Sequence, residues 1–326
     1  AGWLVEINIR VLRVLDFGYL WPLVRPNLAE ILIYYALLLC LVHIRRKAAV
    51  GVLVVSLPAL LVTGGFTVAE RFHNDCRMDF IDVGGGDSIL VEGPKGMRVL
   101  VDGGGFHGGG FDVGERVLTP LFLAKKIRTI DYVVVTHPHA DHLGGLDSVL
   151  RNFRVNRLVI GEVYPEYPDF RRLMETAART GTAVTSWRRG DLHVLAPGLA
   201  ALVLNPPRST PRHEDVNNDS IVLLLTHGNH AFLLTGDIRQ EVEEELIMTG
   251  LPMRADVLKV AHHGSRFSSG MAEINKRLQE RAEVADVSRA SAAATAFVLG
   301  LMVFVAEIAS TTSSGERRYP RSFDGS

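Results

Sequence analysis

Three histidines and an aspartate lie within six residues of this chain, at His137, His139, Asp141 and His142. This composition should give an H-x-H-x-D-H match by chance in about one chain per thousand. The four residues directly follow "YVVVT", a run typical of a buried strand. Imidazole nitrogens and carboxylate oxygens are ligands of divalent cations, so the pattern indicates a metal site rather than a solvated polar turn.

Three further segments with strand composition end in residues of the same kinds. "MRVLVD" ends in Asp102, "AFLLTGD" ends in Asp237, and "ADVLKVAHHGS" carries His262 and His263 near its end. A single aspartate after a strand is usually a turn residue or a helix cap. Because the strands of one sandwich end at a common edge, we expect these side chains to meet at a single place.

Carboxylates gathered at one place need a compensating charge. Two unit charges about 4 Å apart repel by about 4 kcal/mol at an effective dielectric of about 20, so Asp102, Asp141 and Asp237 together favour bound divalent cations. A pair of such cations lowers the pKa of bound water to about 7 and neutralises charge on a phosphoryl or carbonyl oxygen. The chemistry that this predicts is hydrolysis. Lys259 and Ser265 could hold a phosphate, although a solvated lysine and a turn serine fit the sequence equally well.

The segments around these residues predict a layered α/β fold. From Met78 onward, short apolar runs typical of strands alternate with glycines and with helical stretches at 115–126, 143–152 and 169–180. Strands outnumber helices, and hairpin pairing is expected rather than a repeating βαβ array. The glycine-rich stretch 102–112 lacks the spacing and the following helix of a dinucleotide site, so we expect a loop at the rim of the site.

The overall composition argues against several classes of protein. The 326 residues carry a formal net charge of −1, which is not typical of proteins that coat nucleic acid by bulk electrostatics. The cysteines, Cys40 and Cys76, indicate neither a disulfide framework nor a thiolate metal site. The sequence shows no aromatic-rich basic groove for a DNA strand. It starts at Ala1 without a signal-peptide pattern, so we expect it to be a piece of a longer chain.

Apolar residues are concentrated before residue 70. Segment 48–68 carries no charge and would measure about 30 Å as a helix, the thickness of a hydrocarbon core. Segment 28–44 is shorter, has Glu30 in its first turn, and predicts a second span. The basic connection Arg45–Lys47 predicts a cytoplasmic loop, and hence an extracytoplasmic domain after the spans. The alternative is a hairpin of buried core helices.

"THPHADHLGG", "LLTGD" and "HHGS", in this order and spacing, resemble the motifs of the metallo-β-lactamase superfamily. Longer segments, among them "IDVGGGDSILVEGPKGMRVLVDGG" and "ADVLKVAHHGSRFSS", are similar to the C-terminal domain of the ComEC family, polytopic membrane proteins of bacterial DNA uptake. The resemblance implies an αββα sandwich over residues 77–270 with a dinuclear metal site on one edge. It also implies that residues 1–70 are a membrane segment with two transmembrane helices.

The resemblance further implies that two divalent ions, Zn²⁺ or Mn²⁺, are bound by residues drawn from His137, His139, Asp141, His142, Asp237, His262 and His263. His137 and His139 would hold one ion, Asp141 and His142 would hold the other, and Asp237 would bridge the two ions. Of the last pair, His263 lies further beyond the strand and is favoured. Asp102 matches the aspartate that orients the ligand loop. Where most of the superfamily has another histidine, this chain has "VNNDS" with Asn217, which suggests either a lower metal affinity or a preference for a harder ion such as Mn²⁺ over Zn²⁺.

The function implied by the resemblance is hydrolysis of phosphodiester bonds by a membrane-tethered domain outside the bacterial plasma membrane. Its partners would be a single strand of incoming DNA, the membrane and the rest of the uptake channel, and its catalytic residues Asp141, Asp237 and Lys259. Two alternatives stay open: a non-catalytic part of a DNA-conducting channel, and a cell-wall phosphoesterase that acts on phosphorylcholine esters.

The match stops after Ser269. The family continues with a loop that carries one more histidine, whereas residues 271–326 contain none. We therefore expect residues 271–326 to be a divergent tail that is either disordered or encoded by a shifted reading frame.

Overall fold

The computed structural model describes residues 28–43, 74–106, 110–208 and 212–265, together with the isolated positions 6, 26, 51, 52, 54, 56, 58 and 108. The chain divides into two compact units between Thr185 and Ser186. The predicted tail 271–326 and most of the predicted span 48–68 lie outside the described residues.

An apolar helix, α1 (Leu28–Val42), precedes the sheets and occupies most of the predicted span 28–44. Several of its large apolar side chains are exposed, Leu28 at 72% and Val42 at 77% among them. Its one acidic side chain, Glu30, forms an ion pair with Lys126. Within the described part of the chain, none of the helices has both the length and the apolar character needed to cross a bilayer.

The first unit is built on a mixed sheet with the strand order β1-β2-β3-β4-β5-β6. Its strands are β1 (Arg77–Phe80), β2 (Ile89–Glu92), β3 (Arg98–Val101), β4 (Thr129–Val135), β5 (Arg154–Ile160) and β6 (Ala183–Ser186). The first three pair antiparallel, whereas β3, β4 and β5 pair parallel. Val101 is in register with Val134, so the segments that follow β3 and β4 leave the sheet at the same edge.

After α1, the described α-helices of this unit are α2 (Thr119–Ala124), which continues a π-helical turn over Gly114–Leu118, α3 (Ala140–Leu143), α4 (Leu146–Asn152) and α5 (Pro168–Thr180). In α5, proline occupies the first turn, and Phe170, Leu173 and Ala177 form a buried stripe at helical spacing. The helix ends at Gly181, whose φ of 71° is left-handed. Helix α4 contacts both α2 and α5.

The second unit contains a mixed sheet with the order β11-β10-β9-β8-β7. Its strands are β7 (Leu192–Ala196), β8 (Leu199–Asn205), β9 (Val222–His227), β10 (His230–Leu234) and β11 (Val257–Lys259). Only β10 and β11 pair parallel, so both end at one edge. Helix α6 (Gln240–Thr249) packs Val242 and Leu246 into a buried cluster with Leu224 and Leu258 of the sheet.

The mixed α/β architecture with extensive hairpin pairing is therefore confirmed, as are the helices predicted at 115–126, 143–152 and 169–180. The second of these begins at Leu146, because the short helix α3 and two glycines come before it. The elements β6, β8 and α6 are not among those that the sequence predicted.

Candidate metal centre

Asp102 lies directly after β3 and is 1% exposed. Its carboxylate accepts hydrogen bonds from Thr136 N at 2.8 Å, from Thr136 Oγ1 at 2.6 Å and from His142 Nδ1 at 2.8 Å. Burial raises the pKa of this carboxyl above its ordinary value, while His142 and Thr136 act in the opposite direction. Because Asp102 holds Nδ1 of His142, the other ring nitrogen, Nε2, is the one suited to bind a metal.

The three histidines that follow β4 are in contact with one another. The ring centroid of His137 lies 4.8 Å from that of His139 and 4.1 Å from that of His142. His137 Nε2 is 3.1 Å from His139 Nδ1, and His137 and His142 are fully buried. The fold thus brings three of the predicted imidazole ligands together in a small volume. Several nitrogen donors this close to one another suit a cation such as Zn²⁺.

Two carboxylates flank these histidines. Asp141 Oδ2 lies 3.9 Å from His142 Nε2, and Asp87 Oδ2 lies 4.0 Å from His142 Nδ1. Asp141 is a residue that the sequence predicts, but Asp87 is not. Asp87 and His142 are among the described residues whose donor atoms could hold a metal ion. Sequence reasoning missed Asp87 because an aspartate beside glycines in the β1–β2 turn is explained by turn formation alone.

Glycines allow the neighbouring loops to approach the histidine segment by their backbones. A Cβ atom on Gly86, whose φ is 77°, would lie 1.5 Å from Asp141 O, and one on Gly105 would lie 2.0 Å from Ala140 O. Glycine is needed at both positions for close approach, and at Gly86 also for the left-handed backbone. The first part of the glycine-rich stretch 102–112 therefore packs on the segment that carries the histidines.

In the second unit, Asp237 and His263 lie together beyond the ends of β10 and β11. Asp237 is 2% exposed, and its Oδ2 lies 3.5 Å from His263 Nε2. Both residues are among those described whose donor atoms could hold a metal ion. Nδ1 of His262 is instead buried without a hydrogen-bond partner in the described part of the chain. Of the predicted pair, the geometry favours His263 as the partner of Asp237.

The ammonium group of Lys259 is directed at the same place. Lys259 is 8% exposed, and its Nζ donates to Gly236 O at 2.9 Å and lies 3.6 Å from Asp237 Oδ1. A buried carboxylate needs such a partner, because an unpaired buried charge is costly. Ser265, the other residue considered for phosphate binding, donates its backbone N–H to His262 O at 2.8 Å, as a turn residue does.

Asn217 lies in the 3-10 turn Val216–Asp219 that precedes β9. It is 5% exposed, and its backbone N–H donates to Asp215 Oδ1 at 3.0 Å. Its side-chain oxygen is buried and has no hydrogen-bond partner among the residues that the structure describes. An amide oxygen in this state is suited to accept a hydrogen bond or to bind a hard cation.

Comparisons with known proteins agree with these motifs. A family model of the metallo-beta-lactamase superfamily matches residues 81–279. ComE operon protein 3 of Bacillus subtilis is 34% identical over 248 residues, which cover 70% of this chain and 31% of that protein. Recombination protein 2 of Haemophilus influenzae is 28% identical, over 59% of this chain and 22% of that protein. Competence protein ComA of Neisseria gonorrhoeae is 29% identical, over 67% of this chain and 28% of that protein. The chain thus spans less than a third of the length of these curated relatives.

Proposed function

This chain belongs to the metallo-β-lactamase superfamily, and on that premise we propose that it is a metal-dependent hydrolase that cuts phosphodiester bonds of DNA during DNA uptake. The observation that carries the proposal is the buried contact between Asp102 and His142 behind the histidine cluster. A carboxylate that orients an imidazole through its second nitrogen is typical of metal-binding histidines. Of the similar proteins, one is named competence protein ComA and another is named ComE operon protein 3.

The imidazole, carboxylate and amide groups at the strand ends of each unit are of the kinds that bind divalent cations. In the proposal, these cations are held by His137, His139, Asp141, His142, Asp237 and His263, with Asp87 as an additional carboxylate. The resemblance matches Asn217 to a position where most of the superfamily has a histidine, and an amide oxygen in place of an imidazole would lower the affinity for the cation or shift the preference towards a harder ion such as Mn²⁺. When bound, such cations lower the pKa of water to about 7 and neutralise charge on a phosphoryl oxygen.

The side chains of this chain then perform three tasks. Asp102 holds the proton on His142 Nδ1 and so fixes the tautomer of that ring. Asp141 or Asp237 accepts a hydrogen bond from the attacking water and orients it towards phosphorus. Lys259 acts through Asp237, whose carboxylate it faces at 3.6 Å, and is a positioning residue.

In the cell, the proposal places this domain outside the plasma membrane, tethered by residues 1–70, as part of a DNA-uptake channel. Its substrate would be one strand of the incoming duplex. The name of competence protein ComA supports a role in competence, and the exposed apolar surface of α1 supports a contact with a membrane or a partner.

A nuclease assay tests the proposal directly. The full chain in detergent, supplied with Mn²⁺ or Zn²⁺, should cut a labelled single-stranded oligonucleotide, and Asp141→Ala should remove the activity. Asp131→Ala, a change to an aspartate on β4 outside the candidate centre, should leave it unchanged. If the wild type and Asp141→Ala cut equally, or if neither cuts, the nuclease proposal is wrong. Cleavage of phosphorylcholine esters but not of DNA would instead support the cell-wall phosphoesterase.

A further inference from the structure

A cavity of about 380 Å³ opens in the first unit beside the histidine segment. Its wall includes Ala140, the first residue of α3, and Gly144, which directly follows that helix; α3 carries Asp141 and His142. The larger side chains that line it include two aromatic rings and two guanidinium groups, those of Phe106, Phe111, Arg151 and Arg172.

The rings of the two phenylalanines are partly exposed, and each is also in contact with the protein. Phe106 is 44% exposed and Phe111 is 42% exposed, and their centroids lie 5.9 Å apart in an edge-to-face arrangement. The ring of Phe106 lies against Gly84, where a Cβ atom would come within 3.0 Å of it. The guanidinium of Arg116 lies 5.5 Å from the centroid of Phe111. Fixed aromatic rings on a cavity wall are suited to stack against a flat ligand.

The charged groups of the cavity occur as pairs of opposite sign. Arg151 Nε lies 3.2 Å from Asp147 Oδ2, and Arg172 Nη2 lies 2.8 Å from Asp169 Oδ1. Because each guanidinium is next to a carboxylate, the cavity is not simply an anion site. It offers hydrogen-bond donors and acceptors side by side, which is also the pattern on the edge of a nucleobase.

We propose that this cavity binds an unpaired base of the DNA strand, with the base stacked on Phe106 and Phe111 and its edge bonded by Arg151 or Arg172 and their aspartates. The inference rests on the proposed function, because it describes how the substrate strand is held next to Asp141. The sequence does not show this site, since the rings belong to the glycine-rich loop whereas the arginines belong to α4 and α5. The sequence contains no continuous motif of aromatic and basic residues, but the fold brings such residues together at this cavity.

Binding of oligonucleotides in EDTA tests the inference. Fluorescence anisotropy would compare a labelled oligo-dT with an oligonucleotide of the same length that has abasic sites in place of its bases. The variant with Phe106→Leu and Phe111→Leu should bind oligo-dT about tenfold more weakly, or about 1.4 kcal/mol. Its binding to the abasic strand should equal that of the wild type. Phe80→Leu is the matched control, because Phe80 is 46% exposed on β1 and does not line the cavity.

Three results would overturn the inference. These are unchanged binding of oligo-dT by the double variant, an equal loss for the oligo-dT and the abasic strand, and a comparable loss for duplex DNA, in which the bases are paired. The assay contains no divalent cation and no cleavage step. A chain that fails to cut DNA therefore contradicts the proposed function, while the binding result still decides whether a base is held.

Discussion

Asp102 combines a strained backbone with a buried acidic group. Its φ of 59° is left-handed, a conformation that costs a non-glycine residue of the order of 1–3 kcal/mol. The three hydrogen bonds that its carboxylate accepts all come from Thr136 and His142. Strain of this kind persists only where the surroundings impose it. Asp102 therefore holds the segment after β4 in place. A substitution that keeps the shape of its side chain but changes the hydrogen bonds tests this role.

We expect Asp102→Asn to weaken metal binding about 10- to 100-fold, because the amide cannot accept from Thr136 and His142 with both of its terminal atoms. Stability should fall by about 1–3 kcal/mol, the cost of one unsatisfied buried group. Titration with Zn²⁺ or Mn²⁺ and urea denaturation measure the two effects. Asp131→Asn is the control. Asp131, on β4, accepts hydrogen bonds from Arg98 N and Asn156 Nδ2, so this substitution should affect stability alone. An Asp102→Asn protein with wild-type metal affinity would disprove the orienting role.

Among the elements, the β1–β2 hairpin is connected by ion pairs to the residue that follows α2. Lys125 Nζ lies 2.7 Å from Asp79 Oδ2 on β1 and 2.8 Å from Glu92 Oε2 on β2, and Arg77 Nε lies 2.8 Å from Asp79 Oδ1. Burial alone would raise the pKa of Asp79, but the hydrogen bonds from Lys125 and Arg77 lower it below its usual value. The loop that joins β1 to β2 carries Asp87, so this network stabilises an element next to the candidate centre.

We expect the stability contributed by Asp79 to be lost in acid. Since its folded pKa is depressed, the contribution is present above the unfolded pKa of about 3.9 and disappears as the pH falls through the folded pKa. Asp79→Asn should therefore be less stable than the wild type at pH 7, by up to about 1 kcal/mol, and the difference should vanish near pH 2. Urea denaturation between pH 2 and pH 7 measures this. Glu175→Gln, on the exposed face of α5, should lower stability little at any pH. If the difference in stability between Asp79→Asn and the wild type stayed constant from pH 7 to pH 2, the depressed pKa of Asp79 would not be its cause.

The elements that sequence patterns predicted are those with strong, continuous signals. The β-branched run of β4 and the capped, amphipathic α5 are of this kind. By contrast, β6 has only four residues and is largely exposed, β8 has two alanines directly after its first residue, and four of the ten residues of α6 are glutamate. In these elements, pairing and packing with the rest of the unit outweigh local propensity.

For the candidate site, the sequence located the histidines and aspartates that end strands, because their types are unusual at such positions. It could not locate Asp87, whose position is explained equally well by a turn, or the role of Thr136, whose hydroxyl bonds Asp102 only in the folded state. Nor could it show the cavity, because Phe106 and Arg172 are distant in sequence and only the packing of loop and helix brings them to one wall. Contacts of this kind depend on tertiary structure rather than on local pattern.

At the scale of the whole molecule, the proposed ligands come from both units, and the response of the chain to added metal tests whether they hold the same cations. Metal added at about 100 times its dissociation constant should then stabilise the full chain by about 2.7 kcal/mol, measured as a rise in the melting temperature. His142→Ala in the first unit and His263→Ala in the second should each abolish most of that rise, because a shared site needs both. His230→Ala, at a histidine that is 74% exposed on β10, should retain it. If the units bound metal independently, each variant would instead keep the part of the rise that the other unit supplies, and the shared centre would be ruled out.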